Sequence, residues 1–279
     1  MSASPEIAVV GLGIIGSRTA RRLADFGTVR CWNRTPKGFP GETTGLEDAV
    51  GPAEWILLYL KDSAAVREVA DRIFDRPRQG KILINHSTVD LPTTRWLAEA
   101  CAERGIGFLD CPFTGSRDAA ADGALVYYAA GPDELLNRAE PLLLQSARSV
   151  LRCGPVGSAT VLKLVTNLIS ACTVQALAES LATATRHGID PALLIDAISR
   201  NASGSPLAAM KLPTMARGEF EPHFSLANML KDSRYALDLA AAAGLDTPAI
   251  EAVSRRMAEL CEAGLGDRDY SALAAPYFP

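Results

Sequence analysis

The chain has no paired cysteines, no clustered histidines, no excess of positive charge and no unbroken apolar run of membrane-spanning length. Its six cysteines (31, 101, 111, 153, 172 and 261) include no C-x-x-C pair. That spacing excludes a thiolate metal cage and matches reduced thiols, so a cytoplasmic location is predicted. His86, His187 and His223 are too scattered for a histidine zinc site, and no metal is predicted. Lys and Arg number 28 against 32 Asp and Glu, a formal net charge of -4. Up to Gly154 there are 18 basic and 19 acidic residues, and 10 and 13 thereafter. Neither part carries the broad basic footprint of a nucleic-acid binder. The first six residues contain no basic side chain, so no secretory leader is expected. The most apolar stretch, 162–184, is broken by Lys163, Asn167, Gln175 and Glu179, which argues against a membrane span.

What is present suits a globular chain of 279 residues, with 48% hydrophobic and 22% charged residues. At about 150 residues per domain, the length allows two domains or one large one. Short apolar runs at 7–10, 29–32, 55–60, 81–84 and 107–110 alternate with helical patterns at 14–26, 62–75 and 90–104. Runs apolar on both faces and separated by helices predict a parallel sheet covered on both sides. Runs at 124–129 and 149–152, around a helix at 133–145, extend it. After Gly154 no strand pattern recurs. A helix over about 157–187, closed by Gly188, precedes helices at 191–200, 225–243 and 248–264. The predicted fold is α/β then all-α: a doubly wound Rossmann-type sheet over 1–156, and a helical domain over 157–279 whose long first helix joins the two.

Gly11-Leu12-Gly13-Ile14-Ile15-Gly16 is a G-x-G-x-x-G string between a predicted strand and a predicted helix. The first glycine permits the tight turn, the second lets a pyrophosphate approach the backbone, and the third brings the helix close to the sheet. The helix N-terminus favours the diphosphate. Such a turn also occurs where a chain merely needs glycines, but its placement makes these six residues candidates for dinucleotide binding. After the second strand, an NAD site usually offers a carboxylate to the ribose. This chain has Trp32-Asn33-Arg34-Thr35 instead. No acid is present to repel a 2′-phosphate, and Arg34 can pair with one, so NADPH is predicted over NADH. The alternative is that Arg34 is an ordinary solvated side chain.

Lys163 interrupts an apolar helix, and Asn167 follows four residues later on the same face. A lysine in a desolvated cleft can exchange a proton near neutral pH. In carbonyl reduction it can stabilise and protonate the developing alkoxide, with the amide as orienting partner. A snorkelling lysine would give the same pattern.

Several motifs occur in order: the glycine turn, Ser87-Thr-Val, Asp110-Cys-Pro-Phe-Thr-Gly-Ser116, Gly154-Pro-Val-Gly157, Lys163-x-x-x-Asn167 and Lys231-Asp232. As a set this resembles the β-hydroxyacid dehydrogenase (3-hydroxyisobutyrate dehydrogenase-like) family over nearly the whole chain. Within it, Asn33-Arg-Thr35, Thr114-Gly-Ser116, Ala121-Asp-Gly-Ala-Leu125, Phe224 ahead of Asp232, and Gly266-Asp-x-Asp-Tyr-Ser271 look most like the NADPH-dependent glyoxylate/succinic semialdehyde reductases. The resemblance implies catalytic roles for Lys163 and Asn167. It implies that Thr114 and Gly115 hold the substrate carboxylate, that Phe224 and Asp232 line the substrate pocket, and that Thr88 and Lys231 touch the cofactor. It further implies a cleft between the domains that closes on substrate, and a homodimer or homotetramer built through the C-terminal helices.

The chain departs from the family pattern in places. Asn85-His-Ser-Thr88 stands where Asp-x-Ser-Thr is usual, and Phe113-Thr114 where smaller residues are usual. Either change can reshape the acid pocket, which leaves substrate identity open. His86 lies beside the matched Ser-Thr and could reach the site, but a structural histidine is the leading reading, since no partner can be named for it. The leading expectation is NADPH-dependent reduction of a small carboxylate-bearing aldehyde to the hydroxy acid. Other readings are a 3-hydroxyisobutyrate or tartronate semialdehyde type of dehydrogenase, an imine reductase, and a non-catalytic oligomeric module.

Overall fold

The computed structural model describes residues 4–278 and divides into two compact units, one ending at Lys163 and the other beginning at Leu164. The division falls inside one long helix, which starts in the first unit and continues as the core of the second.

Among the described residues the first unit contains eight strands: β1 (Glu6–Val10), β2 (Thr28–Trp32), β3 (Trp55–Leu58), β4 (Ile82–Asn85), β5 (Gly107–Asp110), β6 (Phe113–Thr114), β7 (Leu125–Ala130) and β8 (Ala147–Gly154). Their order is β2-β1-β3-β4-β5-β7-β6, with β8 also on β7. From β2 to β5 every pairing is parallel. The pairings of β5 and β6 with β7 are antiparallel, and β8 returns parallel to β7. The expected all-parallel sheet is therefore corrected to a mixed one. Between β5 and β7 the chain runs through the two-residue β6, which pairs antiparallel with β7, and one short helical stretch at Arg117–Ala121, rather than through the full crossover that parallel pairing requires.

Successive strand residues point to opposite faces, so each face has its own core. Ile7, Val9, Leu57 and Ile84 pack with α1 (Gly16–Leu23) and α6 (Asp133–Leu143). Ala8, Val10, Ile56, Leu58 and Leu83 pack with α3 (Ser63–Phe74) and α4 (Leu91–Glu103). Two short helices, α2 (Leu46–Val50) and α5 (Arg117–Ala121), are too brief to show a hydrophobic period.

The long helix is α7 (Ser158–Arg186). By length and composition it could cross a bilayer, but Ala171, Val174, Ala178 and Leu181 are buried in the second unit's own core. That unit adds α8 (Pro191–Ser199), α9 (Pro206–Arg217), α10 (Leu226–Ala242), α11 (Pro248–Leu260) and a 3-10 segment, Tyr270–Tyr277. Leu212, Met215, Met229, Met257 and Leu273 close around α7. α9 was not expected, because Pro206, Lys211 and Pro213 break the apolar period. Pro206 lies at the first turn, where its missing N–H costs nothing, and Ser205 caps the helix. α11 passes without a break into a π-type turn, Cys261–Leu265, so the helical segment expected over 248–264 is present but leaves α geometry after Leu260, and Gly264 in the turn adopts φ 87°.

Candidate active site

The predicted glycine turn lies between β1 and α1. Gly11 has φ 104°, and a Cβ there would come within 2.2 Å of the Tyr59 carbonyl oxygen. Only glycine fits that position. At Gly13 a Cβ would meet nothing within 4 Å, so the backbone faces open space at the start of a helix. That surface fits the diphosphate of a dinucleotide, since a ligand can approach the main chain without steric hindrance. Leu12, Ile14 and Ile15 complete the turn. Leu12 donates its N–H to Asn33 Oδ1 at 2.8 Å, and Asn33 Nδ2 donates to the Thr35 carbonyl at 2.6 Å. Asn33 therefore ties the glycine turn to the segment after β2.

Arg34 points into solvent at 62% side-chain exposure and pairs with Glu68 of α3 at 2.6 Å. It is neither buried nor unpartnered; a 2′-phosphate would have to replace Glu68. Exposed pairs of this kind contribute about 0–1 kcal/mol, so the exchange is cheap beside a charge-assisted contact to phosphate.

At the C-terminal ends of β4 and β5, backbone turns are held by short polar side chains. Asn85 brackets the Ser87-Thr88 turn, accepting from Ser87 N–H at 3.1 Å and donating to Ser87 C=O at 3.2 Å. An aspartate could not make the second bond while ionised, which gives the Asn departure a local rationale. Asp110 is fully buried. Its Oδ2 accepts from Gly157 N–H at 3.1 Å and Thr160 N–H at 2.9 Å, and its Oδ1 accepts from the Thr160 hydroxyl at 2.8 Å. Asp110 thus caps the N-terminus of α7, the helix that carries Lys163. Burial pushes its carboxyl up to about 6, although the three donors pull the other way.

Thr114 ends β6 opposite Val126, and Gly115 follows with φ 140°, where a Cβ would strike Leu125 at 2.7 Å. Phe113 packs with Tyr59 and Tyr127, at centroid distances of 6.1 and 6.5 Å, and is partly buried against one core. His86 does not project as a site group. Its ring stacks on Tyr59 at 4.5 Å and its Nδ1 lies 2.7 Å from the Cys111 carbonyl oxygen. Burial holds its pKa down near 3 despite that bond, so it stays neutral.

On α7, Lys163 and Asn167 are 8% and 9% exposed and lie one turn apart on one face. In the second unit, Asn167 Nδ2 donates to Asp232 Oδ2 at 2.7 Å, while Lys231 Nζ lies 2.7 Å from Asp232 Oδ1. The structure therefore joins Asn167 to the Lys231-Asp232 pair, two motifs the sequence marked separately. Asp232 is 1% exposed and fixes the orientation of the Asn167 amide. Phe224 stands just before α10, its ring edge-on to Tyr270 at 6.1 Å. Two residues given no role from the sequence hold these elements within their own units: in the first, Asp110, whose motif was visible but whose partner was not, and in the second, Asp269 of the Gly266–Ser271 motif, which accepts from Phe224 N–H. Among the described residues no group of acidic, histidine or cysteine side chains could hold a metal ion.

Comparison with known proteins gives the family of the chain. A family model described as the NAD binding domain of 6-phosphogluconate dehydrogenase matches residues 6–154. One described as NAD-binding of NADP-dependent 3-hydroxyisobutyrate dehydrogenase matches residues 157–277. The chain is 31% identical over 279 residues to Arabidopsis thaliana glyoxylate/succinic semialdehyde reductase 1, covering 96% of each chain. It is 30% identical over 281 residues to the chloroplastic reductase 2 of the same plant, covering 96% of this chain and 78% of that one. Among solved structures, Mycobacterium tuberculosis 3-hydroxyisobutyrate dehydrogenase with L-serine superposes with a TM-score of 0.88 at 26% identity, covering 98% of this chain and 99% of that one.

Proposed function

Because the chain belongs to the 3-hydroxyisobutyrate dehydrogenase family and is an NAD(P)-binding oxidoreductase, we propose that it reduces a small aldehyde bearing a carboxylate, of the glyoxylate or succinic semialdehyde type, to the hydroxy acid, with NADPH preferred. The observation that carries the reading is the buried Lys163 one helical turn from Asn167, whose amide is held by Asp232.

When bound, the reduced nicotinamide supplies a hydride to the carbonyl carbon. Negative charge then grows on the carbonyl oxygen, and the Lys163 ammonium stabilises it and delivers the proton that completes the alcohol. Lys163 is left neutral and regains its proton from solvent. Asn167, turned by Asp232, orients the reacting groups. The Thr114 hydroxyl and the Gly115 backbone N–H hold the carboxylate, while Phe224 and Asp232 bound the substrate. The glycine turn holds the diphosphate, and Thr88 and Lys231 contact the cofactor. Arg34, by exchanging Glu68 for the 2′-phosphate, supports NADPH over NADH.

The test is NADPH oxidation across glyoxylate, succinic semialdehyde, tartronate semialdehyde and methylmalonate semialdehyde, with wild type and Lys163→Ala side by side. At least one aldehyde should be turned over. The variant should lose about 10²–10⁴-fold in kcat, the usual worth of a positioned acid, while NADPH binding is nearly unchanged. Retained turnover in the variant refutes the role of Lys163. No turnover by wild type with any of the four refutes the substrate class.

A further inference from the structure

We propose that Asp269, with Lys211 as its counter-ion, is a positioning residue that sets Phe224 and the start of α10 for the substrate; the inference rests on the assignment of Phe224 and Asp232 to the substrate. Between Phe220 and Leu226 the chain belongs to no helix or strand, yet it carries Phe224 and leads directly into the helix bearing Lys231 and Asp232. Asp269 supplies the acceptors this segment needs. Its Oδ2 takes the N–H groups of His223 at 3.0 Å and Phe224 at 3.1 Å. Its Oδ1 takes Ser271 N–H at 3.0 Å and Lys211 Nζ at 2.5 Å.

The backbone of the same stretch is bonded to the segment around Asp269. Asp269 N–H donates to Phe220 C=O at 3.0 Å, and Tyr270 N–H to Phe224 C=O at 3.0 Å. Leu226 N–H donates to Arg268 C=O at 2.8 Å, and Ala227 N–H to Gly266 C=O at 2.9 Å. Ser225, between them, caps α10 through Asn228 N–H. Lys211 also lies 4.4 Å from the centre of the Tyr270 ring, whose neighbour is Phe224. Lys211 and Asp269 are 4% and 2% exposed. Burial works against the Asp269 charge, but Lys211 and the N–H donors outweigh it and hold the carboxyl below its ordinary range. An ion pair that served stability alone would need only one oxygen. Here the other oxygen is committed to two peptide groups at the position of Phe224.

That division of labour separates positioning from stability. Lys211→Met breaks the ion pair but leaves Oδ2 with His223 and Phe224. Asp269→Asn breaks the same pair and offers only one acceptor oxygen, so one of the two sets of donors must face an NH₂ group. Amide exchange of the 220–227 peptide in the full-length protein is read together with steady-state kinetics. Asp269→Asn should speed that exchange about tenfold, the worth of one to two hydrogen bonds. It should raise the aldehyde KM by about the same factor, with the NADPH KM unmoved and kcat less affected. Lys211→Met should lower Tm comparably yet leave exchange and aldehyde KM near wild type. Equal effects of the two variants on exchange and KM, or no effect of Asp269→Asn, overturn the inference. Should Asp269→Asn fail to fold, Asp269→Glu keeps the charge and the lysine pair but displaces the carboxylate by a methylene. The same rise in KM and exchange is expected of it, and wild-type values overturn the inference. If wild type turns over no aldehyde, the substrate reading fails alone, and the exchange comparison still decides whether Asp269 positions the segment.

Discussion

A histidine in an enzyme of this kind invites a proton-transfer role, and His86 shows how burial removes it. With Nδ1 donating to the Cys111 carbonyl and the ring stacked on Tyr59, the imidazole is held neutral, its pKa lowered by burial to about 3. Between about pH 6.5 and 3 the unfolded chain therefore binds a proton that the native state refuses, and stability is lost as pH falls through that window. The slope is at most about 1.4 kcal/mol per pH unit. His86→Phe cannot titrate, so its Tm should fall less between pH 7 and pH 4 than that of wild type; an equal fall disproves the assignment. Asn33 and Asn85 are the other instructive single residues. Each donates and accepts at once, tying a turn at the end of a strand to its own or a neighbouring segment. Both positions drew attention in the sequence because an acid was missing there. What the amide does instead depended on partners up to 21 residues away.

At the scale of elements, the placement of Lys163 depends on how α7 begins. The cap comes from Asp110, 47 residues before Gly157, at the end of β5. A local sequence signal for an N-cap looks for Ser, Thr, Asp or Asn beside the helix, so this one is invisible to it. Asp110→Ala leaves the Gly157 and Thr160 N–H groups unpaired in the interior and should cost about 1–3 kcal/mol, measurable by urea titration. Asp110→Asn should cost much less, because its oxygen can accept both N–H groups while its NH₂ donates to the Thr160 hydroxyl. It should also change the pH response. Burial raises the native Asp110 pKa to about 6, so the native state holds this proton more tightly than the unfolded chain does. The residue's contribution thus falls as pH rises from about 4 to 6. In Asp110→Asn that fall should be absent, and an unchanged pH profile would show that the carboxyl does not titrate there. The missed α9 and the antiparallel return at β6 and β7 have the same origin. Local pattern reports what a segment prefers, whereas pairing partner and packing face are set by other segments.

For the whole molecule, the helical unit leaves large apolar side chains in solvent: Val165 and Ile169 on one face of α7, with Ile169 61% exposed, Leu193 of α8 at 57%, and Met210 of α9. α8 buries none of its residues within the chain. Exposed apolar side chains of this number favour association, and a homodimer or homotetramer built through these helices is the expected state. Light scattering should give a multiple of the monomer mass, and Ile169→Glu with Leu193→Glu should shift it towards the monomer; a monomeric wild type excludes this assembly. The small net charge of -4 agrees with anion binding by a few placed groups rather than by a broad field. The amino-acid sequence by itself determined the order of the α/β and helical parts, the glycine turn and the lysine–asparagine face. Those follow from periodicity, from the steric freedom of glycine and from four-residue spacing on a helix, all local properties. Only the tertiary structure decided that Asp110 caps α7, that Asp232 orients Asn167, that Glu68 occupies Arg34, and that Asp269 ties down the Phe224 segment. Each of those is a contact between residues 34 to 65 positions apart, and hydrogen bonds and ion pairs of that kind are chosen by which surfaces packing brings together.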